Sequence, residues 1–329
     1  MCALSVEKAP SSQEKVEVTE LQRLLVITGP TASGKSKLAM DIAQEIPLEI
    51  ISSDSMQVYR YMDIGTDKPS AEDRSKVRHH LIDLKYPDEQ WTVEEFQRTA
   101  EAAIKEISSR GNLPAIVGGT GFYIRALLKG FPLVDAPPNP EFRAKMKELA
   151  AERGSKAVHD LLRDKDPWSW EHLHPNDLKR VIRALEYYEA VGQPISARKD
   201  KNLSPSYDYL MMGICRERQE LYKRIDERAE EQLRRGLIDE TRNLLEMGYS
   251  KDLSSMNGLC YKESCMYLEG LLTLEETKNL IARNTRRYAK RQLTWFAKEE
   301  GIIWIKAGKD RLWDDIVDEA VGMVKEKFR

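Results

Sequence analysis

The chain has 329 residues, of which 41% are hydrophobic and 32% charged, and its formal net charge is −2. This is enough apolar content for a sizeable core in two domains, or in one domain with a large insertion, and the near-neutral balance argues against a protein that coats nucleic acid indiscriminately while leaving room for a local basic groove. No apolar run approaches the ~20 residues that span a bilayer.

Residues 1–21 are polar and acidic, lack the charged-then-apolar arrangement of a signal peptide, and read as a disordered leader. Residues 24–28 and 48–52 read as short buried strands flanking a helix from 35 to about 45, a βαβ unit that implies a parallel sheet. A third strand is expected over 81–84, then a helix over 92–109 with Thr92 as cap and Glu94 and Glu95 in its first turn. Residues 113–117 form a further strand that ends at Gly118-Gly119-Thr120-Gly121. The pattern predicts an α/β fold, a P-loop doubly wound and mostly parallel sheet.

After Phe131 the chain changes character. Pro132, Pro137, Pro138 and Pro140 make a breaker-rich link, and residues 132–200 read as a helical insertion domain within a catalytic core of 22–131 and 201–329. A strand over 209–215 returns the chain to the sheet, followed by helices over 218–247 and 273–298, a last strand over 302–305 and a final helix over 312–327. Cys2, Cys215, Cys260 and Cys265 form no Cys-x-x-Cys pair and have no histidine at metal-ligand spacing, which fits a reducing cytoplasm better than a zinc site or a disulfide framework. The expected molecule is a cytoplasmic monomer without membrane attachment.

The run Gly29-Pro30-Thr31-Ala32-Ser33-Gly34-Lys35-Ser36 sits between the first strand and the first helix, the context of a phosphate-binding loop. Its glycines let backbone N–H groups turn toward one anion, the helix start adds a positive dipole end, Lys35 reaches terminal phosphate oxygens, and Ser36 is the customary magnesium ligand. The default reading of such a loop is a kinase or NTPase. Yet the strand at 113–117 runs into glycine where a triphosphatase would place an acidic residue, which weakens that default.

Asp54, in Ser53-Asp54-Ser55-Met56-Gln57, follows the second strand at the edge where open α/β sheets bind ligands; it suits proton chemistry or metal binding, or else a simple turn cap. Gln57 carries a donor and an acceptor suited to a purine edge. Thr120 offers a hydroxyl in a glycine turn at the same sheet edge. Lys179, Arg180 and Arg183 lie on a helix begun by Asp177, a basic face for phosphates or a solvated one. Arg286, Arg287, Lys290 and Arg291 interleave with Tyr288 and Trp295, either to follow a nucleic acid or diphosphate, or to surround two core aromatics.

Together the strings G-P-T-A-S-G-K-S, D-S-x-Q-x-Y, M-D-I-G-T-x-K-P at 62–69, V-G-G-T-G-x-Y, H-P-N-D-x-x-R-x-x-R-A-L-E and K-R-Q-x-T-W-F, in this order over about residues 23–305, resemble the tRNA dimethylallyltransferases (tRNA isopentenyltransferases) of bacterial type. The resemblance implies transfer of a dimethylallyl group from dimethylallyl diphosphate to the exocyclic amine of the adenine 3′ of the anticodon in tRNA. It implies that the loop 29–36 holds the donor diphosphate with Arg183, that Asp54 is the general base, and that Lys35 and Thr120 share in catalysis. Mg2+ would be bound by Ser36. tRNA contacts are implied at Asp54, Ser55, Met56, Gln57, Thr120, Arg143, Lys179, Arg180 and Arg183, with the insertion clamping the anticodon stem while the target base leaves its stack.

Competing readings are an adenylate isopentenyltransferase acting on free AMP, ADP or ATP, a P-loop nucleotide kinase, and a non-catalytic RNA-binding module. The chain departs from the family pattern at Asn257 and Cys260, where Q-G-x-G-Y-K-E is usual, and at Ala297, where arginine commonly follows W-F. If the replaced glycine has positive φ, Cys260 costs about 1 kcal/mol.

Overall fold

The computed structural model describes residues 21–130, 138–198 and 207–329. The chain divides near Leu128 and Ser206 into two compact units, a core drawn from both sides of the division and a helical unit between them. The leader expected over 1–21 lies outside the described residues except for Leu21, as do Pro132, Pro137 and both expected ends of the insertion.

The core carries a six-stranded sheet in the order β3-β2-β4-β1-β5-β6. The strands are β1 (Arg23–Thr28), β2 (Leu48–Ser52), β3 (His79–His80), β4 (Leu113–Gly118), β5 (Asp208–Cys215) and β6 (Ile302–Lys306). Every pairing among them is parallel, and Val26 of the central β1 faces Ile116 on one side and Met211 on the other. Parallel neighbours need crossovers, and these are supplied by α1 (Lys35–Ile42), α2 (Ala71–Lys76), α3 (Val93–Ser109), α4 (Gly121–Lys129) and, in the second half, by helices described below.

Strand β1 shows why its run reads as uniformly apolar. Leu25 and Ile27 join Leu38 and Ile42 of α1 in one buried cluster, whereas Leu24 and Val26 join Phe96, Ile104 and Tyr123 in another. A period of two on a sheet covered on both faces leaves no polar alternation.

Within the helical unit, α5 (Pro140–Arg153), α6 (Ser155–Asp160), α7 (Leu162–Lys165), α8 (Pro167–His172) and α9 (Leu178–Val191) surround Met146, Val158, Leu162, Val181 and Leu185. Buried Asp166 closes this unit: it accepts from the backbone N–H and hydroxyl of Ser169 and from those of Ser196. The chain after β5 continues through α10 (Arg218–Arg234), α11 (Leu237–Glu246), α12 (Tyr261–Leu268), α13 (Leu274–Phe296) and, after β6, α14 (Trp313–Lys327).

Two expectations are corrected. The third strand lies at 79–80, not 81–84, because Leu81 and Asp83 have φ of 62° and 58° and cannot continue a ladder. Leu81 is nonetheless buried, so the apolar run reflects core contact made from a turn. The helix expected over 218–247 is two helices, broken where Gly236 takes φ 97° at the start of α11.

Candidate active site

The loop 29–36 leaves β1 at its carboxyl end and enters α1 at Gly34, whose φ is 107°. Gly29 is fixed by sterics as well as by its φ of 143°, because a Cβ there would stand 2.6 Å from the Ile214 carbonyl of β5. Ala32 also has positive φ, at 62°. Pro30 is buried, and so is Ser33, whose hydroxyl has no partner among the described residues.

Two loop amides are engaged: Ser33 N–H donates to Pro30 O at 3.3 Å, and Thr31 N–H donates to Gln292 Oε1 at 2.8 Å. Lys35 Nζ has a long contact, 3.4 Å, to Pro30 O. Desolvation lowers its pKa to about 8, with Asp54 and Asp67 pulling it upward and Arg228 pushing it down. Ser36 is exposed and lines a cavity of about 880 Å³ with Ser52, Gln57, Asp67 and Arg235.

Three arginines hold the loop from outside. Arg216 Nε donates to Ser33 O at 2.7 Å, Arg224 Nε to Ala32 O at 2.9 Å, and Arg228 Nη1 to Thr31 Oγ1 at 3.0 Å, while Arg228 also pairs with Asp67 at 3.3 Å. Arg224 and Arg228 are one helical turn apart on α10, which is why both reach the same loop.

Asp54 follows β2 and is partly exposed. One of its oxygens, Oδ1, accepts from Met56 N–H at 2.9 Å, which makes the residue a turn carboxylate; no donor among the described residues is bonded to the other oxygen. Ser55 and Met56 complete this turn. Gln57 is held internally: its Oε1 accepts from Ser52 Oγ at 2.8 Å, and its Nε2 donates to the carbonyls of Thr66 and Asp67.

Thr120 follows β4. Its Oγ1 is buried and makes no well-formed hydrogen bond, although it lies close to the Tyr288 phenol. Burial, reinforced by the charge of Asp54, pushes that phenol up to about 12, and Thr120 and Gln292 moderate the rise. Tyr288 is thus a neutral hydroxyl beside Asp54 and Thr120.

The core therefore brings Lys35, Asp54 and Thr120 to one sheet edge. Arg143, Lys179, Arg180 and Arg183 belong to the helical unit. There buried Glu186 accepts from Arg143 Nε at 2.7 Å, Arg183 Nη1 at 2.8 Å and Asn139 N–H at 2.7 Å. Burial alone would raise the Glu186 pKa, but these donors outweigh it and hold the carboxyl at about 2. Lys179 and Arg180 are exposed, and Arg180 pairs with Asp177 at 3.4 Å.

On α13, Arg287, Lys290 and Arg291 are exposed and Arg286 pairs with Asp226. Trp295 packs on Gly121, with the Arg125 guanidinium 4.4 Å from its ring centre. Sequence reasoning gave no role to Arg216, Arg224, Arg228 or Gln292. The available signal was the four-residue spacing of Arg224 and Arg228 and the Gln inside K-R-Q-x-T-W-F.

The IPP transferase family model matches residues 57–299. The chain belongs to the IPP transferase family. It is 46% identical over 304 residues to the tRNA dimethylallyltransferase of Carboxydothermus hydrogenoformans, covering 91% of this chain and 97% of that one. With tRNA dimethylallyltransferase 2 of Geotalea daltonii it shares 48% identity over 298 residues, covering 90% and 89%.

Among solved structures it is similar to the full-length tRNA isopentenylpyrophosphate transferase of Bacillus halodurans, with a TM-score of 0.70, 41% identity and coverage of 93% and 96%. A eukaryotic dimethylallyltransferase acting on tRNA superposes with a TM-score of 0.80 at 27% identity, covering 93% of this chain and 79% of that one.

Proposed function

We propose that this chain transfers a dimethylallyl group from dimethylallyl diphosphate to the exocyclic amine of the adenine 3′ of the anticodon in tRNA, releasing diphosphate. The observation that carries the reading is the convergence of a partly desolvated Lys35 and a half-free carboxylate, Asp54, at the mouth of a phosphate loop. The names of the relatives, tRNA dimethylallyltransferases, agree with it.

In the transfer, the bond between the allylic carbon and the diphosphate oxygen breaks, and the adenine nitrogen forms the new carbon–nitrogen bond. An adenine amine is a weak nucleophile, so orientation and proton removal both matter. Asp54 takes the amine proton through its unengaged oxygen, and the unsatisfied Thr120 hydroxyl accepts the second N–H. Lys35 and the loop 29–36 stabilise the departing diphosphate.

The Ser36 hydroxyl fits Mg2+, since it is an exposed hard oxygen on a roomy cavity that also carries Asp41 and Asp67, and this ion keeps several waters and shares substrate phosphates. When bound, Mg2+ supplies additional charge neutralisation at the leaving diphosphate. Arg143, Lys179, Arg180 and the turn 54–57 contact tRNA, with residues 132–200 acting as the clamp. Among the described residues no helix is long and apolar enough to cross a membrane, and we take the chain to act as a cytoplasmic monomer.

The test is incubation with magnesium, labelled dimethylallyl diphosphate and either unmodified tRNA or AMP, followed by nucleoside mass analysis. Label in tRNA adenosine is expected. Label only in AMP would make the chain an adenylate isopentenyltransferase, and label in neither would return it to the kinase reading. Asp54→Ala should abolish transfer while leaving diphosphate binding largely intact; normal turnover at saturation would remove the base assignment.

A further inference from the structure

The hydrogen-bonded ladder between β1 and β4 ends at Thr28 and Gly118. Beyond that rung the two loops carry the groups that must meet, the donor loop 29–36 on one side and Thr120 on the other. Gln292 of α13 is buried and spans them: its Oε1 accepts from Thr31 N–H at 2.8 Å and its Nε2 donates to Gly119 O at 3.0 Å. A primary amide offers one acceptor and two donors, so this side chain supplies the next rung where the backbones no longer reach each other.

The fit is close. A Cβ on residue 119 would collide with Gln292 Nε2, so glycine is required there by the amide and not by backbone conformation. The neighbouring turns of the same helix reinforce the arrangement, with Tyr288 beside Thr120 and Trp295 filling the space over Gly121.

Resting on the function proposed above, we infer that Gln292 is a positioning residue that sets the spacing between the donor loop and the acceptor turn. Reacting atoms must come within about 3–3.5 Å in a near-attack arrangement, and a misplacement of about 1 Å costs roughly 10²-fold. An amide that fixes both loops governs that distance without touching either substrate. When the spacing is lost, water can take the place of the amine: the same carbon–oxygen bond breaks, water oxygen bonds to carbon, and dimethylallyl alcohol, diphosphate and a proton result.

The experiment compares the full-length chain with Gln292→Met, which keeps length and removes both hydrogen bonds, and Gln292→Glu, which keeps the acceptor for Thr31 and sets a carboxylate against Gly119 O. Circular dichroism melts establish folding. Steady-state kinetics then give kcat and the KM for each substrate, together with the ratio of diphosphate released to prenylated adenosine formed.

The expected result is a kcat about 10²-fold lower in the Met variant, with both KM values changed less than about threefold and a ratio above one. A kcat within about twofold of the parent, a loss confined to the KM for tRNA, or a ratio that stays at one overturns the inference. Failure of both variants to fold also overturns it, by making Gln292 a stability element alone. If the parent chain itself transfers no label to tRNA, the proposed function fails, and the comparison among variants is not reached.

Discussion

Two lysines of the core unit, Lys68 and Lys35, have opposite surroundings. Lys68 is buried, and its ammonium donates to Tyr59 O at 2.5 Å, Asp63 Oδ1 at 2.6 Å and Asp83 Oδ1 at 2.6 Å, which uses all three of its protons. Lys35 has one long contact to a carbonyl, and desolvation lowers its pKa to about 8. The first lysine completes a scaffold. The second is held in an environment that disfavours its charge, as residues at functional sites often are.

The scaffold around Lys68 extends further. The Glu240 carboxylate accepts from the backbone N–H groups of Asp63, Ile64 and Gly65 and from the Tyr261 hydroxyl, and Gln232 donates to the carbonyls of Ile64 and Gly65. The backbone N–H groups of Asp63, Ile64 and Gly65 and the carbonyls of residues 63–67 are answered from within the protein. At the phosphate loop, by contrast, Ser33 and Thr120 keep unanswered buried hydroxyls. Satisfaction in one region and its lack in the other separate fold from function within a single unit.

The largest expected effect that tests this contrast is Lys35→Met, which should lower kcat/KM for the prenyl donor about 10³-fold. Because a depressed lysine pKa means that the folded chain carries the charge at a cost below about pH 8, the same variant should melt about 2 °C higher without ligand at pH 7. A melting temperature that falls instead would put Lys35 in the scaffold. Lys68→Met should do the reverse, losing about 2 kcal/mol in chemical denaturation while the folded fraction transfers prenyl groups at the parental rate.

Next comes pH. In the free chain Lys35 loses its proton above about pH 8, so kcat/KM for the donor should fall there by about tenfold per unit, and Lys35→Arg should flatten that limb; an unchanged limb would assign it to another group. The smallest effect lies at the edge of the scaffold. Cys260 opens α12 with φ 78° and ψ −48°, a strained conformation for any residue with a Cβ. Cys260→Gly should therefore gain about 1 kcal/mol by thermal or urea unfolding, partly offset by the loss of the sulfur's contact with Gln232, and should leave transfer unchanged. A loss of stability would show that the thiol's packing outweighs the strain.

The family pattern places glycine at position 260, and the conditional cost of a Cβ there applies, because Cys260 has φ 78°. The phosphate loop and Asp54 at the end of β2 were legible because each is written in a contiguous stretch whose local geometry is fixed by its own residues, and the sheet because most of its strands are short apolar runs separated by helical patterns. The turn at Leu81 and Asp83 was misread as strand because burial of Leu81 produces the same apolar signal as a ladder. Gly236 was read through because a lone glycine within a helical pattern does not reveal whether its φ is positive.

Arg216, the arginines of α10 and Gln292 were not legible in their roles. Thr31 and Gln292 are separated by 261 positions, and Ser33 and Arg216 by 183. No local spacing encodes contacts of that kind. The double engagement of Arg143 and Arg183 by Glu186 was hidden for the same reason at one end, since Arg143 and Glu186 come from different helices.

The central position of β1 has a consequence for how the chain is made. Its residues are among the first of the core to leave the ribosome, yet their partners on β4 and β5 follow much later, on either side of the whole helical unit. The helical unit is continuous in sequence and can close its own cluster as it emerges, whereas the phosphate loop stays without its neighbours until β5 and the arginines of α10 have been synthesised. Such non-local pairing is slow and leaves apolar strand edges open in the meantime. A nascent chain of this protein completes the surroundings of its phosphate loop late, and its demand on chaperones should peak in the interval between the two halves of the sheet.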